Sequence, residues 1–411
     1  MSPQGRRTRH PAPQGGARKL GAARPFLESL DRRSFLGAAT LLGAPRVLFA
    51  QAATERRFVF IIQRGAADGL NILIPYAEPA YASQRGSLAI DAQAALKLDG
   101  TFALHPALPK LRELHGAGEA SFLHAVASPY RDRSHFDGQN VLETGGRAPY
   151  QLKDGWMNRL LGLLPRSGKD AIAFSSAVPM ALQGGAEVTT YAPSTLPQAN
   201  EDLLARVAQL YARDGQLQAL WMSAIEARGM AGAGMGGGGD GNRQDAAALG
   251  RMAAGFLARP DGPRLAMIET SGWDTHSGQD ARLAFQLRGL DGLIGALRDG
   301  MGAAWAQTVV VVATEFGRTV AANGTGGTDH GTAAAAMVIG GAVHGGRILA
   351  DWPGLSQGNL FEGRDLKPTL GLDMLIASAC AETFKLDPER TARVLFPDAV
   401  PSKVVHRLLR A

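Results

Sequence analysis

The feature that most constrains the fold is a set of short, almost uniformly apolar segments that are rich in β-branched residues. The clearest is Thr308–Thr314 (TVVVVAT), which has the length and composition of a strand buried on both faces. Four other segments of this kind are Arg57–Ile62, Ser121–Val126, Leu265–Thr270 and Ala335–Ile339. Across Asp280–Leu297, leucine and isoleucine recur at three- and four-residue spacing, which predicts an amphipathic helix.

Buried strands that alternate with amphipathic helices are typical of a parallel sheet covered on both faces. The predicted fold class is therefore α/β, with a mostly parallel sheet and helices on both faces. Residues 229–242 (GMAGAGMGGGGDGN) are too rich in glycine for a regular element. We interpret them as a flexible loop within a single domain that spans residues 53–411.

The first 52 residues have the composition and order of an export signal. The segment Asp31–Leu36 (DRRSFL) carries paired arginines, an interrupted apolar run follows it, and Ala50–Ala52 fits a small-x-small cleavage site. The run is too short to span a bilayer, so no stable membrane insertion is expected. The alternative is a basic arm beside a short helix. We predict a twin-arginine signal peptide, passage through the twin-arginine translocase, and a periplasmic or extracellular mature protein.

The overall charge of the chain comes from this same segment. The formal net charge is +6, but residues 1–52 hold nine Lys or Arg and two Asp or Glu, which gives +7 and leaves −1 for the remainder. A near-neutral mature chain gives no support to nucleic-acid binding. The only cysteine is Cys380, so an intramolecular disulfide is excluded.

Residues with ligating or reactive side chains stand just after the predicted strands, or just before the last one. They are Asp68, Ser134, Asp274, His276, Glu315, Asp329 and His330. The carboxyl ends of parallel strands share one edge of a sheet, so we expect these side chains to lie together. Crowded carboxylates repel each other unless a cation lies between them. One or two divalent ions, zinc or manganese, are predicted, because mixed carboxylate and imidazole ligands suit such metals better than calcium.

Each of these residues also has a purely structural interpretation. Asp68 and Asp274 suit turns or helix caps. Glu315 suits an ion pair with Arg318, and His330 suits an ordinary loop position. Three further histidines lie in or beside predicted core elements and are interpreted as structural: His105, His115 and His124.

Six motifs together resemble a known family. They are RGAADGLN at 64–71, SPYR at 128–131, RSHF at 133–136, GWDTH at 272–276, TEFGR at 314–318 and GTDHG at 327–331. They resemble the bacterial twin-arginine-exported family catalogued as domain of unknown function 1501, from about Phe58 to Pro397. That family is similar to the alkaline phosphatase and sulfatase superfamily. The resemblance implies an alkaline-phosphatase-like fold that binds metal at the strand ends.

The resemblance also implies roles for single residues. Asp68 resembles the superfamily's first-strand metal aspartate, and His330 resembles its late histidine ligand. Asp274 and His276 resemble its Asp and His metal pair. Glu315 stands where an aspartate is usual.

The superfamily places its nucleophile near the start of a helix. Ser134 is the best-placed hydroxyl for that role, because a helix is predicted to begin there, and Ser128 is the second choice. Arg318 or Arg133 is the candidate to steady a substrate anion. Phe316 departs from the superfamily, in which histidine often follows the aspartate.

Two functions of different class are compatible with these residues. The first is a periplasmic metal-dependent hydrolase that acts on small phosphate or sulfate esters. The second is a non-catalytic exported binding protein that keeps the fold. The ligand set favours the first, and the Glu315-Phe316 pair favours the second.

Overall fold

The computed structural model describes residues 55–165, 170–192, 207–208, 210–222, 246–399, 405 and 407–410. Nine of its twelve strands form one sheet and the other three form a small second sheet. In chain order the strands are β1 (Arg57–Gln63), β2 (Leu73–Ile74), β3 (Leu96–Lys97), β4 (Ala103–Leu104), β5 (Ala120–Ala127), β6 (Ala171–Phe174), β7 (Thr189–Thr190), β8 (Leu265–Thr270), β9 (Thr308–Ala313), β10 (Ala334–Ile339), β11 (Arg347–Leu349) and β12 (Leu370–Gly371).

The large sheet is mostly parallel, as predicted. Its strand order is β11-β5-β10-β9-β1-β8-β6-β7, and β12 pairs with β5. The strand β1 is parallel to both neighbours, with Phe58 opposite Leu265 of β8 and Val309 of β9. The strand β10 runs antiparallel to β5 and β9. Because of this reversal, the loop before β10 lies at the same edge as the loops that follow β1, β5, β8 and β9.

Helices cover both faces of the sheet. In chain order they are α1 (Gly69–Ile72), α2 (Tyr81–Arg85), α3 (Pro109–Gly116), α4 (His135–Thr144), α5 (Trp156–Leu161), α6 (Ala246–Leu257), α7 (Gln279–Met301), α8 (Leu372–Phe384) and α9 (Pro388–Leu395). The predicted amphipathic helix is α7, which begins one residue before the predicted start and ends four residues after the predicted end.

Alternate residues of β1 point into two separate hydrophobic cores, as strand geometry requires. Val59 and Ile61 pack with residues of α3, α6 and α7. Phe58 and Phe60 pack with residues of α5, α8 and α9. The two cores hold the sheet rigid, so the loops at its carboxyl edge start from fixed positions.

Two predictions from the sequence lie outside the described residues. They are the signal peptide at 1–52 and the glycine-rich loop at 229–242. In the part of the chain that the structure describes, no helix combines the length and the hydropathy that crossing a bilayer requires.

Candidate metal centre

The loop after β1 contacts two other loops through a glycine. The backbone N–H of Gly65 donates a hydrogen bond to Glu315 Oε1, 2.8 Å away, in the loop after β9. Gly65 has φ +117°, and a Cβ atom there would lie 2.6 Å from the backbone nitrogen of Asp274, after β8. Both the dihedral angle and the contact exclude a larger residue. This glycine therefore permits the carboxylates of Glu315 and Asp274 to approach one another.

Three imidazoles converge on one carboxylate oxygen, Asp274 Oδ1. The distances to this oxygen are 3.1 Å from His276 Nε2, 3.4 Å from His330 Nε2 and 3.5 Å from His135 Nε2. The Nε2 atoms of His276 and His330 are themselves 3.0 Å apart. We call Asp274, His135, His276 and His330 the edge cluster.

The other ring nitrogen of each imidazole is held by a hydrogen-bond acceptor. His135 Nδ1 lies 2.8 Å from Glu315 Oε1, and His276 Nδ1 lies 3.2 Å from Asp329 Oδ1. His330 Nδ1 lies 2.8 Å from the carbonyl oxygen of Arg133. A carbonyl or ionised carboxylate can only accept, so each Nδ1 carries the proton and the neutral ring presents an Nε2 lone pair. This is how proteins orient histidines that bind metal.

Glu315 is fully buried and remains an acceptor. Its carboxylate accepts hydrogen bonds from Gly65, His135 and, at 3.0 Å, Gln139 Nε2. Burial alone raises the pKa of Glu315, but these hydrogen bonds outweigh it and lower the pKa overall. The same hydrogen bond with Glu315 is the largest cause of the raised pKa of His135. Glu315 is thus placed as the orienting partner of His135 and not inside the edge cluster.

Arg318 lies beneath Asp274. Its guanidinium donates hydrogen bonds to Asp274 Oδ1, to the carbonyl oxygen of Ala66 at 2.7 Å and to that of Thr328 at 3.1 Å. Burial raises the pKa of Asp274, but the ion pair with Arg318 and the nearby imidazoles lower it to about 2. The Arg318 side chain is 0% exposed. It cannot reach a substrate anion in this position, which corrects the expectation that it would steady one.

The edge cluster fits a divalent ion of the zinc type. The ligand atoms of His135, Asp274 and His330 all lie within 4.8 Å of one another. A tetrahedral zinc site has ligand-to-ligand distances of about 3.4 Å, close to the separations from Asp274 Oδ1. His135 Nε2 is buried and has no hydrogen-bond partner among the described residues.

Charge supports the same fit. Asp274, Glu315 and Asp329 contribute three negative charges and Arg318 contributes one positive charge, which leaves −3 + 1 = −2 when the imidazoles are neutral. Two Nε2 lone pairs that face each other also repel unless a proton or a cation lies between them. A divalent cation would neutralise the charge and accept the ligand atoms of His135, Asp274 and His330.

Asp68 lies in a different set of contacts. Its Oδ2 atom accepts from Gln279 Nε2 at 2.5 Å and forms a fully buried ion pair with Arg85. Its Oδ1 atom accepts from the backbone N–H of Leu70 at 3.1 Å and caps α1. Arg85 supplies the positive charge that a metal would otherwise bring. Both carboxylate oxygens of Asp68 are therefore already hydrogen-bonded within the chain. The sequence analysis predicted that Asp68 would lie in the metal site, but the structure places it outside the edge cluster.

Asp329 and Ser134 lie beside the edge cluster. Asp329 contacts His276 Nδ1 and accepts from Asn323 Nδ2 at 3.1 Å, so it orients an imidazole. Ser134 directly precedes α4, as predicted, and its backbone N–H donates to the Tyr130 hydroxyl at 3.1 Å.

His135 is the member of the edge cluster that the sequence analysis missed. It is the first residue of α4, and its ring stacks on Phe316 with centroids 5.0 Å apart. The RSHF motif after β5 contains this histidine, but the sequence analysis assigned the candidate role to its neighbour Ser134. Phe316 is therefore a wall of the site.

Solved structures resemble this chain at low sequence identity. A protein in the alkaline phosphatase superfamily from Vibrio parahaemolyticus is 14% identical, with a TM-score of 0.35 over 69% of this chain and 60% of its own. A putative sulfatase from Bacteroides thetaiotaomicron is 9% identical, with a TM-score of 0.39 over 85% and 76%. The C-terminal periplasmic domain of EcEptC from Escherichia coli, in complex with zinc, is 10% identical, with a TM-score of 0.33 over 71% and 74%. The similarity predicted from the motifs is thus found.

No curated protein matches the sequence. The model of one protein family does match, over residues 55–395, which include every residue of the edge cluster. The chain therefore belongs to the family described as protein of unknown function (DUF1501).

Proposed function

We propose that this chain is an exported metal-dependent hydrolase of small phosphate or sulfate esters. The observation that carries the proposal is the convergence of three imidazole Nε2 atoms on Asp274 Oδ1, with each Nδ1 held by an acceptor. The facing Nε2 lone pairs repel one another unless a proton or a cation lies between them. Zinc or manganese is the proposed ion, held by the edge cluster and oriented through Glu315 and Asp329.

The exposure of the ligands indicates where a substrate would approach. The side chains of Asp274 and His276 are 45% and 43% exposed, whereas those of His135 and His330 are 23% and 25% exposed. The open side of the cluster is therefore that of Asp274 and His276. A divalent ion at this position polarises a phosphoryl or sulfuryl oxygen and activates a nucleophile.

Two residues of the chain would act on the substrate directly. Arg364 replaces Arg318 as the candidate to steady the ester anion, because its side chain is 44% exposed and its guanidinium donates to the backbone oxygen of His330. Ser134 remains the candidate side-chain nucleophile, since it lies next to His135 at the start of α4. Water is the competing nucleophile. Replacing Ser134 by alanine separates the two, because only the serine route loses turnover.

Metal analysis combined with an ester assay tests the proposal. The purified chain should contain about one zinc or manganese ion and should hydrolyse p-nitrophenyl phosphate or p-nitrophenyl sulfate. His330→Ala and Asp274→Asn should lose both metal and turnover. The matched control is His344→Ala, since His344 is an exposed histidine after the opposite end of β10. Absence of metal from the wild-type chain after supplementation would sink the proposal.

A second function, an exported metal-containing binding protein, is favoured by one observation. Arg318 is sealed under Asp274, so this predicted catalytic group is not free in this structure. Stoichiometric metal without turnover of either ester would support this function over the hydrolase.

Export is part of the proposal and has its own test. Replacing Arg32 and Arg33 by lysine should leave the precursor in the cytoplasm, because the translocase requires the paired arginines. Cell fractionation measures this, and normal periplasmic accumulation of the variant would contradict it.

A further inference from the structure

A cavity of about 270 Å³ lies at the same edge of the sheet, beside the end of β5. Its walls come from the loop after β5, from residue 147 and from the start of α8. The residues that matter are Ser128, Arg131, Arg147, Gly371 and Asp373. None of them belongs to the edge cluster.

The cavity carries two cationic side chains and one carboxylate. Arg131 uses Nη1 to donate to the backbone oxygens of Ser128 and, at 2.8 Å, Tyr130. Arg147 is exposed. Neither guanidinium forms an ion pair with a carboxylate in the part of the chain that the structure describes. Burial lowers the pKa of Arg131, and Asp373 is close enough to oppose that shift.

Asp373 is only partly compensated by these cations. Its Oδ1 atom accepts from the backbone N–H of Met374 at 2.8 Å, in the first turn of α8. Burial raises the pKa of Asp373 although Arg147 and Arg131 lower it. The formal charge of the cavity is 2 − 1 = +1. The first turn of α8 adds partial positive charge, because its cap, Gly371, supplies no side-chain hydrogen bond.

We infer that this cavity binds inorganic phosphate as its monoprotonated anion. The guanidinium groups of Arg131 and Arg147 suit its charged oxygens. The carboxylate of Asp373 suits its P–OH group, which can donate a hydrogen bond. Sulfate has no proton at neutral pH, so its oxygens meet the Asp373 carboxylate as repelling acceptors. The cavity therefore selects phosphate over sulfate.

The cavity and the edge cluster share one loop. Ser128 lines the cavity, and its hydroxyl donates to the backbone oxygen of Glu315 at 3.2 Å. The same loop leads directly into His135. The two sites are nevertheless built from different side chains, and the inference does not rest on the proposed hydrolase function.

Isothermal titration of the full-length chain at neutral pH tests the inference. Inorganic phosphate should bind, and sulfate should bind at least about tenfold more weakly, as expected for an uncompensated acceptor contact. Methyl phosphate is the third ligand. At neutral pH it is mostly the dianion, which has no P–OH group, so it should bind more weakly than inorganic phosphate.

Four variants locate the binding. Arg131→Gln and Arg147→Gln should each weaken phosphate binding at least about tenfold, the range for a charge-assisted hydrogen bond. Asp373→Asn should reduce the preference for phosphate over sulfate. His344→Ala, an exposed histidine outside both sites, should leave phosphate affinity within about twofold. Because Arg131 also holds the loop, Arg147→Gln decides the test if the Arg131 variant unfolds.

Three results would overturn the inference. The first is phosphate affinity that Arg147→Gln leaves unchanged. The second is equal affinity of the wild-type chain for sulfate and phosphate. The third is phosphate binding that is lost in Asp274→Asn and kept in the cavity variants, which would assign the phosphate to the edge cluster.

Discussion

Asp68 and Asp274 follow neighbouring strands of one sheet, but their carboxylates have different kinds of partner. Asp68 pairs with the buried guanidinium of Arg85 and accepts from the side-chain amide of Gln279. Asp274 also forms an ion pair, with Arg318, but in addition it faces three imidazole nitrogens. One of these, His135 Nε2, is buried and has no hydrogen-bond partner among the described residues. The first carboxylate is neutralised by the chain itself, and the second lies among the ligand atoms of the candidate metal centre.

This difference shows how a position at a strand end can serve two purposes. Gln279 connects the two regions, because its side-chain oxygen accepts from the hydroxyls of Thr275 and Thr328 at 2.9 and 2.6 Å. Those threonines lie one residue from His276 and from Asp329. The Asp68 network thus fixes the loops whose histidines remain available for metal.

The largest expected effect on stability comes from breaking the buried ion pair between Asp68 and Arg85. Asp68→Asn leaves the Arg85 guanidinium buried without its carboxylate, which should cost about 3–5 kcal/mol of unfolding free energy. Urea denaturation measures the loss. The control is His276→Gln in the edge cluster, which should cost less than about 1 kcal/mol because its side chain is 43% exposed. Equal losses in the two variants would remove the distinction between the regions.

Zinc should stabilise the folded chain by binding at the edge cluster and not at the Asp68 network. Zinc at a hundredfold excess over its Kd should add about 2.7 kcal/mol to the unfolding free energy, because only the folded chain assembles the site. Thermal melts with and without a chelator measure this. The increment should vanish in His330→Ala. A stabilisation of similar size in that variant would place the zinc elsewhere.

The orienting acceptors should have a smaller effect than the ligands. Glu315→Gln keeps the shape of the side chain but removes the charge that holds His135 Nδ1, so zinc affinity should fall about 10–100-fold. In Asp329→Asn the loss of zinc affinity should lie toward the lower end of that range, since the Asp329 side chain is 60% exposed. Competition with a chromogenic chelator measures both. Weaker zinc binding by Asp329→Asn than by Glu315→Gln would contradict this ranking.

The smallest effect concerns pH in the metal-free chain. The pKa of Asp274 is lowered to about 2, so its ion pair with Arg318 stabilises the fold above about pH 4 and is lost as the pH falls toward 2. The contribution should be below about 1 kcal/mol, because the side chain is nearly half exposed. It is measured as the difference in unfolding free energy between the wild-type chain and Asp274→Asn. A difference that grows on acidification would contradict the assignment.

The fold could be predicted well because the apolar segments leave few alternatives. The segment TVVVVAT became β9, and the leucine spacing after residue 280 became α7. The reversed direction of β10 could not be predicted, because an apolar strand has the same composition in either direction. That reversal still brought His330 to the predicted edge.

The site was only partly predictable. Asp274, His276 and His330 were found because they follow or precede strands that share an edge. Asp68 was assigned wrongly to this group, because its partner Arg85 is seventeen residues away and its burial is a tertiary property. His135 was missed because its ring is turned toward Glu315 by a contact across 180 residues.

The three imidazoles of the edge cluster differ in how easily a substitution elsewhere removes the acceptor of their Nδ1 hydrogen bond. His135 and His276 depend on the side chains of Glu315 and Asp329, which a single codon change can remove. His330 is held by the main-chain oxygen of Arg133, which is present whatever residue stands at 133. If the proposed metal site exists, related chains that lose it should lose the acceptors at 315 and 329 first, while the ring at 330 keeps its orientation longest.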